Sequence, residues 1–208
     1  MSARQSTIDP GSRALFFTQK VFMRRDNVTK LLHALIALGI SANLIISLFM
    51  VPAELGVKGD VPYLVHQWAG LSLFATVMVY WLWKLAGNLP QGWPYFFPWF
   101  SKATYPAIWL ELRVLLRLQL REVPESGVLS GAIHGLGLLT ASVMAASGTV
   151  QFLLLQRYFA NSSVFDLSKA THEFFATFMW IYLIGHVLMA AMHQTLGHKS
   201  ISTMFFSN

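Results

Sequence analysis

Four stretches of the chain are almost unbroken in apolar residues: about Lys30 to Val51, Pro62 to Leu85, Gly127 to Leu155 and Ser168 to Thr195. Each is long enough to cross the hydrocarbon core of a bilayer, which takes about 20 residues of helix. The longest polar interval, between the second and third stretches, has its own pattern. "NLPQGWPYFFPWF" (88–100) is rich in proline and aromatic residues, as expected of chain resting at the headgroup level. From 107 to 121, Arg113, Arg117 and Arg121 recur every fourth residue, with Ile108, Leu112, Leu115 and Leu116 on the other side. That spacing predicts a short amphipathic helix lying on the membrane surface. There is no internal repeat. The predicted fold is all-α: one integral-membrane four-helix bundle over residues 1–208, with an interfacial helix.

Composition agrees with this pattern and charge orients it. The chain is 55% hydrophobic and 12% charged, with mean hydropathy +0.52, too apolar for an ordinary soluble domain. Its net charge of +6 does not form a basic groove with interleaved aromatics, so nucleic acid is not an expected partner. Six Lys or Arg lie in the first thirty residues, five in 84–126 and one in the tail, against three in the two remaining loops. The positive-inside rule then places both termini, the long loop and the interfacial helix on the cytoplasmic side. No small-residue cleavage signature follows the first apolar run, so that span is expected to be retained. The absence of cysteine excludes disulfides, iron–sulfur ligation, c-type haem attachment and thiol chemistry.

Histidines change the picture more than charge does. A histidine inside a membrane is costly and generally functional, and the fourth span carries two: "HEFFATFMWIYLIGH" (172–186). At about 1.5 Å per residue, fourteen residues set His172 and His186 ~21 Å apart in height, and at about 100° per residue they lie on nearly one face. His33 opens the first span and is expected at the depth of His186; His66 opens the second and is expected at the depth of His172. Two stacked imidazole pairs across one bundle suit two b-type haems, each with one axial nitrogen above and one below. A zinc site would need further ligands, and no Cys, Asp or Glu is placed at these depths.

Glycines fit that reading. Gly70 follows His66 by one turn, Gly39 follows His33, and Gly137 and Gly148 share a face of the third span at two heights. Missing side chains there would let flat macrocycles approach the backbone; the alternative is close helix packing. His134 is expected to contact a haem propionate or a quinone, or else to replace His33 as the inner ligand. His193 is a second candidate for such a contact and His198 is expected in solvent, while Arg24, Arg25 and Lys30 can neutralise propionates.

At these residues the chain resembles the bacterial four-helix di-haem cytochromes b. These comprise the cytochrome b561 proteins and the cytochrome b (gamma) subunits of formate dehydrogenases and nickel–iron hydrogenases. One His at the start of each of the first two spans, the fourteen-residue interval on the fourth, "HVLMAAMHQTLGH" (186–198) and "HKSISTMF" (198–205) carry the resemblance. It implies that His33 and His186 ligate the cytoplasmic-side haem, that His66 and His172 ligate the outer one, and that electrons pass to or from a quinone. Where the formate dehydrogenase subunits have a polar Asn/Gln/Lys motif, this chain has "SGVLSGAIHGLGLL" (126–139).

The leading expectation is therefore a multi-pass protein of the bacterial inner membrane. It is read as the electron-transfer subunit of a quinone-linked oxidoreductase, joining an outer-face dehydrogenase, hydrogenase or reductase subunit to the quinone pool. One alternative is a stand-alone b561-type quinone oxidoreductase acting on a small outer-face redox molecule. The other, a haem-free anchor or transporter, has only Glu173 as an intramembrane carboxylate.

Overall fold

The computed structural model describes residues 27–53, 58–87, 93–117, 127–156 and 162–196. Four long apolar helices make up the body: α1 (Asn27–Ser47), α2 (Val61–Leu85), α4 (Val128–Gln156) and α5 (Ser163–Thr195). A shorter helix, α3 (Tyr105–Leu116), precedes α4. No strand occurs among the described residues, so the all-α four-span expectation holds.

Helix boundaries follow local chemistry rather than hydropathy alone. α1 stops at Ser47, four residues short of the apolar run. There Leu48 and Phe49 donate to the Ile45 and Ile46 carbonyls in a tightened last turn, and Pro52 lies just beyond. α2 starts at an Asp60 cap, whose Oδ1 accepts from the Tyr63 N–H at 2.8 Å, with Pro62 in its first turn. It ends where Gly87 adopts a left-handed φ of 92°. α5 begins five residues earlier than the apolar run because Ser162 caps it, its hydroxyl accepting from the Phe165 N–H at 3.2 Å. At 33 residues it is about 50 Å long, longer than the ~30 Å hydrocarbon core. Its first turns, with Asp166 and Lys169, and its last, with His193, therefore reach past the apolar layer.

The helices run up and down. α1 packs on α2, α2 on α4 and α4 on α5, whereas α5 meets α1 over a short stretch only. The histidines of α5 face α2 at one level and α1 at the other. Between these levels Leu44, Ala141 and Met179 pack together, with Ile40, Met144 and Leu183 around them. The outward surface carries large exposed apolar side chains, among them Leu38, Phe49, Trp68, Leu82, Leu167 and Ile181. Water would not tolerate so continuous an apolar coat, and lipid does.

The segment after α2 does more than rest at an interface. Trp93 and Phe97 stack with Trp81 of α2 at ring separations of 6.1 and 6.2 Å, and Trp81 Nε1–H donates to Ser142 of α4 at 2.9 Å. Gly135 of α4 admits this segment, since a Cβ there would collide with the Phe96 carbonyl. Residues 88–92 and 118–126, with Arg121, lie outside the described residues.

α3 differs from the predicted two-sided helix. Ile108, Leu112 and Leu115 are half-buried, but Leu116, Trp109 and Leu110 are exposed, and the Arg113 guanidinium sits 5.3 Å from the Trp109 ring centre. Apolar surface therefore wraps round much of the helix. Glu111 anchors it: its two carboxylate oxygens accept from the Val128 and Leu129 N–H groups at 3.1 and 2.8 Å. This caps α4 from another element and sets a negative charge at a helix N-terminus. Gly127 is required for the approach, because a Cβ there would run into that carboxylate. Glu111→Ala is expected to destabilise the bundle by about 1–2 kcal/mol, with Glu111→Gln losing less. Thermal unfolding of the detergent-solubilised protein, followed by tryptophan emission, measures the difference.

Candidate functional site

Five of the chain's histidines gather inside the bundle at two levels. At one level are His66 of α2 and His172 of α5, ring centroids 6.2 Å apart and planes nearly perpendicular at 86°. Both are tied through Nδ1 to a main-chain carbonyl of a different helix. His66 Nδ1–H donates to the Asn43 carbonyl of α1 at 3.3 Å, and His172 Nδ1–H to the Met144 carbonyl of α4 at 2.9 Å. Ser147 Oγ lies 3.1 Å from the same His172 nitrogen. A proton fixed on Nδ1 puts each ring's lone pair on Nε2, the condition for a metal ligand of fixed orientation.

Such bonds need open carbonyls, and small residues open them. A helical side chain at position i leans toward the carbonyl at i−4. Position 148, four beyond Met144, is glycine, and a Cβ there would lie 3.1 Å from His172 Cε1. Ser47 holds the equivalent place beyond Asn43. Asn43 is itself 7% exposed and joins α1 to α2. With its amide oriented to satisfy both neighbours, its oxygen accepts from Gly70 N–H at 3.1 Å and its nitrogen donates to the His66 carbonyl at 3.2 Å.

The second level holds His33 of α1, His134 of α4 and His186 of α5, with ligand nitrogens all within 4.8 Å of one another. His33 and His186 are 6.4 Å apart, as are His33 and His134, whereas His134 and His186 are 5.2 Å apart. His134 Nδ1–H donates to the Ser130 carbonyl one turn back, at 2.7 Å. Tyr182 stacks on His186 at 5.3 Å, its plane within 13°. A turn nearer the bundle end, buried Lys84 of α2 donates to Thr29 Oγ1 of α1 at 2.7 Å.

His66 lies against His172, as the sequence pairing has them, whereas His33 lies equally near His186 and His134. His134 is thus beside both of the others rather than apart from them. The glycines make room for neighbouring side chains. Gly148 admits the His172 ring, Gly137 admits the Tyr182 phenol, Gly70 faces Asn43 and Gly39 faces Leu73. Their space is used by the chain's own side chains, which it positions. His193 is buried in the last turn of α5. Arg24, Arg25 and His198 lie outside the described residues. Sequence reasoning missed Asn43, Ser147, Tyr182 and Lys84. The available signal was a polar residue within an apolar span, one helical turn or a few from a histidine.

Facing imidazoles inside a lipid-exposed helical bundle suit a membrane cytochrome of b type. The chain belongs to a family described as prokaryotic cytochrome b561, which matches residues 24–207. No curated protein and no solved structure matches it. The protein is thus a membrane b-type cytochrome of electron transport with haem b as its prosthetic group, and the haem-free reading falls away.

The donor set suits that group: facing imidazoles stand at two levels, and those of His66 and His172 are held at Nδ1, which leaves Nε2 to ligate. Gly148→Val is expected to push His172 off the Met144 carbonyl and lower the haem bound per chain, read by pyridine haemochrome. Gly185→Ala, where a Cβ meets nothing within 4 Å, is expected to leave haem content unchanged.

Proposed function

We propose that the protein is a di-haem electron conduit. In this reading His66 and His172 hold one haem b, and His33 and His186 hold the other. Electrons pass between a redox subunit docked at the His66 end and a quinone at the His33 end. The observation that carries the reading is that imidazoles from different helices face one another at two levels of one bundle. The charge asymmetry of the loops supports a cytoplasmic His33 end, both termini inside, and residence in the bacterial cell membrane.

Bound haem b supplies a one-electron couple. The chain's own groups determine what that couple can do. Held by two histidines each, the haems would have no open coordination site, which would suit outer-sphere transfer rather than oxygen binding. The Nδ1 bonds to the Asn43 and Met144 carbonyls hold the outer rings in orientation and make them more basic ligands. Leu44, Ala141 and Met179 exclude water between the levels, so little solvent has to reorganise there. Lys84, buried beside Thr29, supplies positive charge at the His33 end for carboxylates of propionate. His193, buried at that end, is the candidate quinone contact.

The test is haem counting on the purified full chain with copurifying proteins identified. Two haems b per chain are expected, falling to one in His66→Ala and to one in His172→Ala. The double variant should stay at one. A haem count insensitive to His172 would remove the pairing. A copurifying redox subunit supports the conduit role, whereas quinone turnover by the lone chain would make it a stand-alone oxidoreductase.

A further inference from the structure

The arginines of α3 share their side of the helix with apolar side chains. Tyr105, Trp109, Arg113 and Arg117, the last capping the helix end, follow at four-residue intervals and so form one ridge. All four are exposed, and Leu110 and Leu116, 63% and 71% exposed, lie beside them. The Arg113 guanidinium is held 5.3 Å from the Trp109 ring centre, and the Tyr105 hydroxyl pins the start of the ridge by donating to the Trp99 carbonyl at 2.7 Å. The opposite side of α3 is taken up by the protein. Glu111 points there, with both carboxylate oxygens bonded to N–H groups of α4. Ile108 and Leu115, three residues before Glu111 and four after it, share its side and are half-buried. Glu111 is the one carboxylate of α3, so none on the helix faces the two arginines. It also sets the height of α3, because it binds the first turn of α4. At 29 residues α4 is about 43 Å long, against ~30 Å of hydrocarbon, so that first turn reaches the headgroup level and α3 with it.

We propose that the outward ridge of α3 binds anionic phospholipid, with Arg113 and Arg117 on the lipid phosphate and Trp109, Leu110 and Leu116 against its glycerol and upper acyl carbons. The inference is separate from the electron-transfer reading. It changes the expectation of a helix with an apolar side in lipid and arginines in water, since the predicted apolar side is spent on the protein. Each component of the ridge suits the headgroup level. Trp and Tyr rings gather there, and arginine stems lie along apolar surface while their heads reach polar partners. A guanidinium donates two parallel bonds to a phosphate, which also fits Arg113 being braced on an indole face. The charge selects the occupant. A zwitterionic headgroup brings its own cation and leaves both arginines unbalanced, whereas an anionic one offsets them. Through Glu111 the bound lipid would be coupled to the start of α4.

The test uses the full-length protein in nanodiscs of equal parts phosphatidylglycerol and phosphatidylcholine, with lipid retained on release counted by native mass spectrometry. The ratio of phosphatidylglycerol to phosphatidylcholine retained is expected to exceed one. It is expected to fall about fivefold or more in Arg113→Gln/Arg117→Gln, as loss of arginine charge at an anionic surface should bring. Lys58→Gln/Lys169→Gln, at exposed positions toward the other end of the bundle, is expected to leave the ratio unchanged. If the arginine variant does not accumulate, Arg113→Lys/Arg117→Lys keeps the charge, loses the paired donation and is expected to give an intermediate ratio. Because the chain has no cysteine, a nitroxide on Leu110→Cys marks one position, expected to be more accessible to oxygen than to a water-soluble nickel chelate. A ratio of one in the unsubstituted protein would overturn the proposal, as would a ratio that both arginine variants leave unchanged. So would an equal fall in the lysine variant, or a nitroxide open to the chelate. A second copy of the chain retained in place of lipid, and lost with the arginines, would overturn it as well.

Discussion

An imidazole inside a bilayer becomes an oriented ligand only when its second nitrogen is engaged, and the site depends on how that is done. His172 reaches the main-chain carbonyl of Met144 and His66 reaches that of Asn43. Hydrogen bonds between membrane helices contribute about 0.6 kcal/mol on average, too little to hold a bundle together. An unsatisfied buried N–H costs about 1–3 kcal/mol, enough to decide which way a ring points. These bonds therefore fix ring orientation, and packing of α1 on α2 and of α4 on α5 does the holding. Gly148 and Ser47 follow from the same requirement, since a larger side chain at either place would cover the carbonyl.

α5 is the shared element. It presents His172 and His186 at two heights, with Met179, 1% exposed, midway between them. It leans on α4 and meets α1 over a short stretch only. The bundle is braced at the His33 end: Lys84 to Thr29, Trp81 to Ser142, and Glu111 to the start of α4. Each of these bonds crosses between elements, so the less packed side of the bundle need not be its loose side.

Much of this was legible in the sequence. Length and hydropathy gave the four spans, and helical periodicity placed His172 and His186 on one face and matched each to a partner. The legible part is what repeats at a fixed rise and angle. Contacts between helices do not repeat, and there the reading thinned. Nothing in the spacing of Glu111 reveals that it caps a helix starting seventeen residues later, and Asn43 looks like one polar residue in an apolar run. Gly137 and Gly148 were recognised as gaps at two heights, but which groups enter them is set by α5 side chains. α5 also starts at Ser163 because Ser162 caps it, a local signal that the apolar pattern overrode.

Near-infrared magnetic circular dichroism of the oxidised, purified chain reads the haem ligands directly. Paired imidazoles at both levels predict charge-transfer bands of bis-imidazole low-spin haem alone, with intensity for two haems per chain. Bands of methionine-ligated or high-spin haem, or intensity for a single haem, would contradict that pairing.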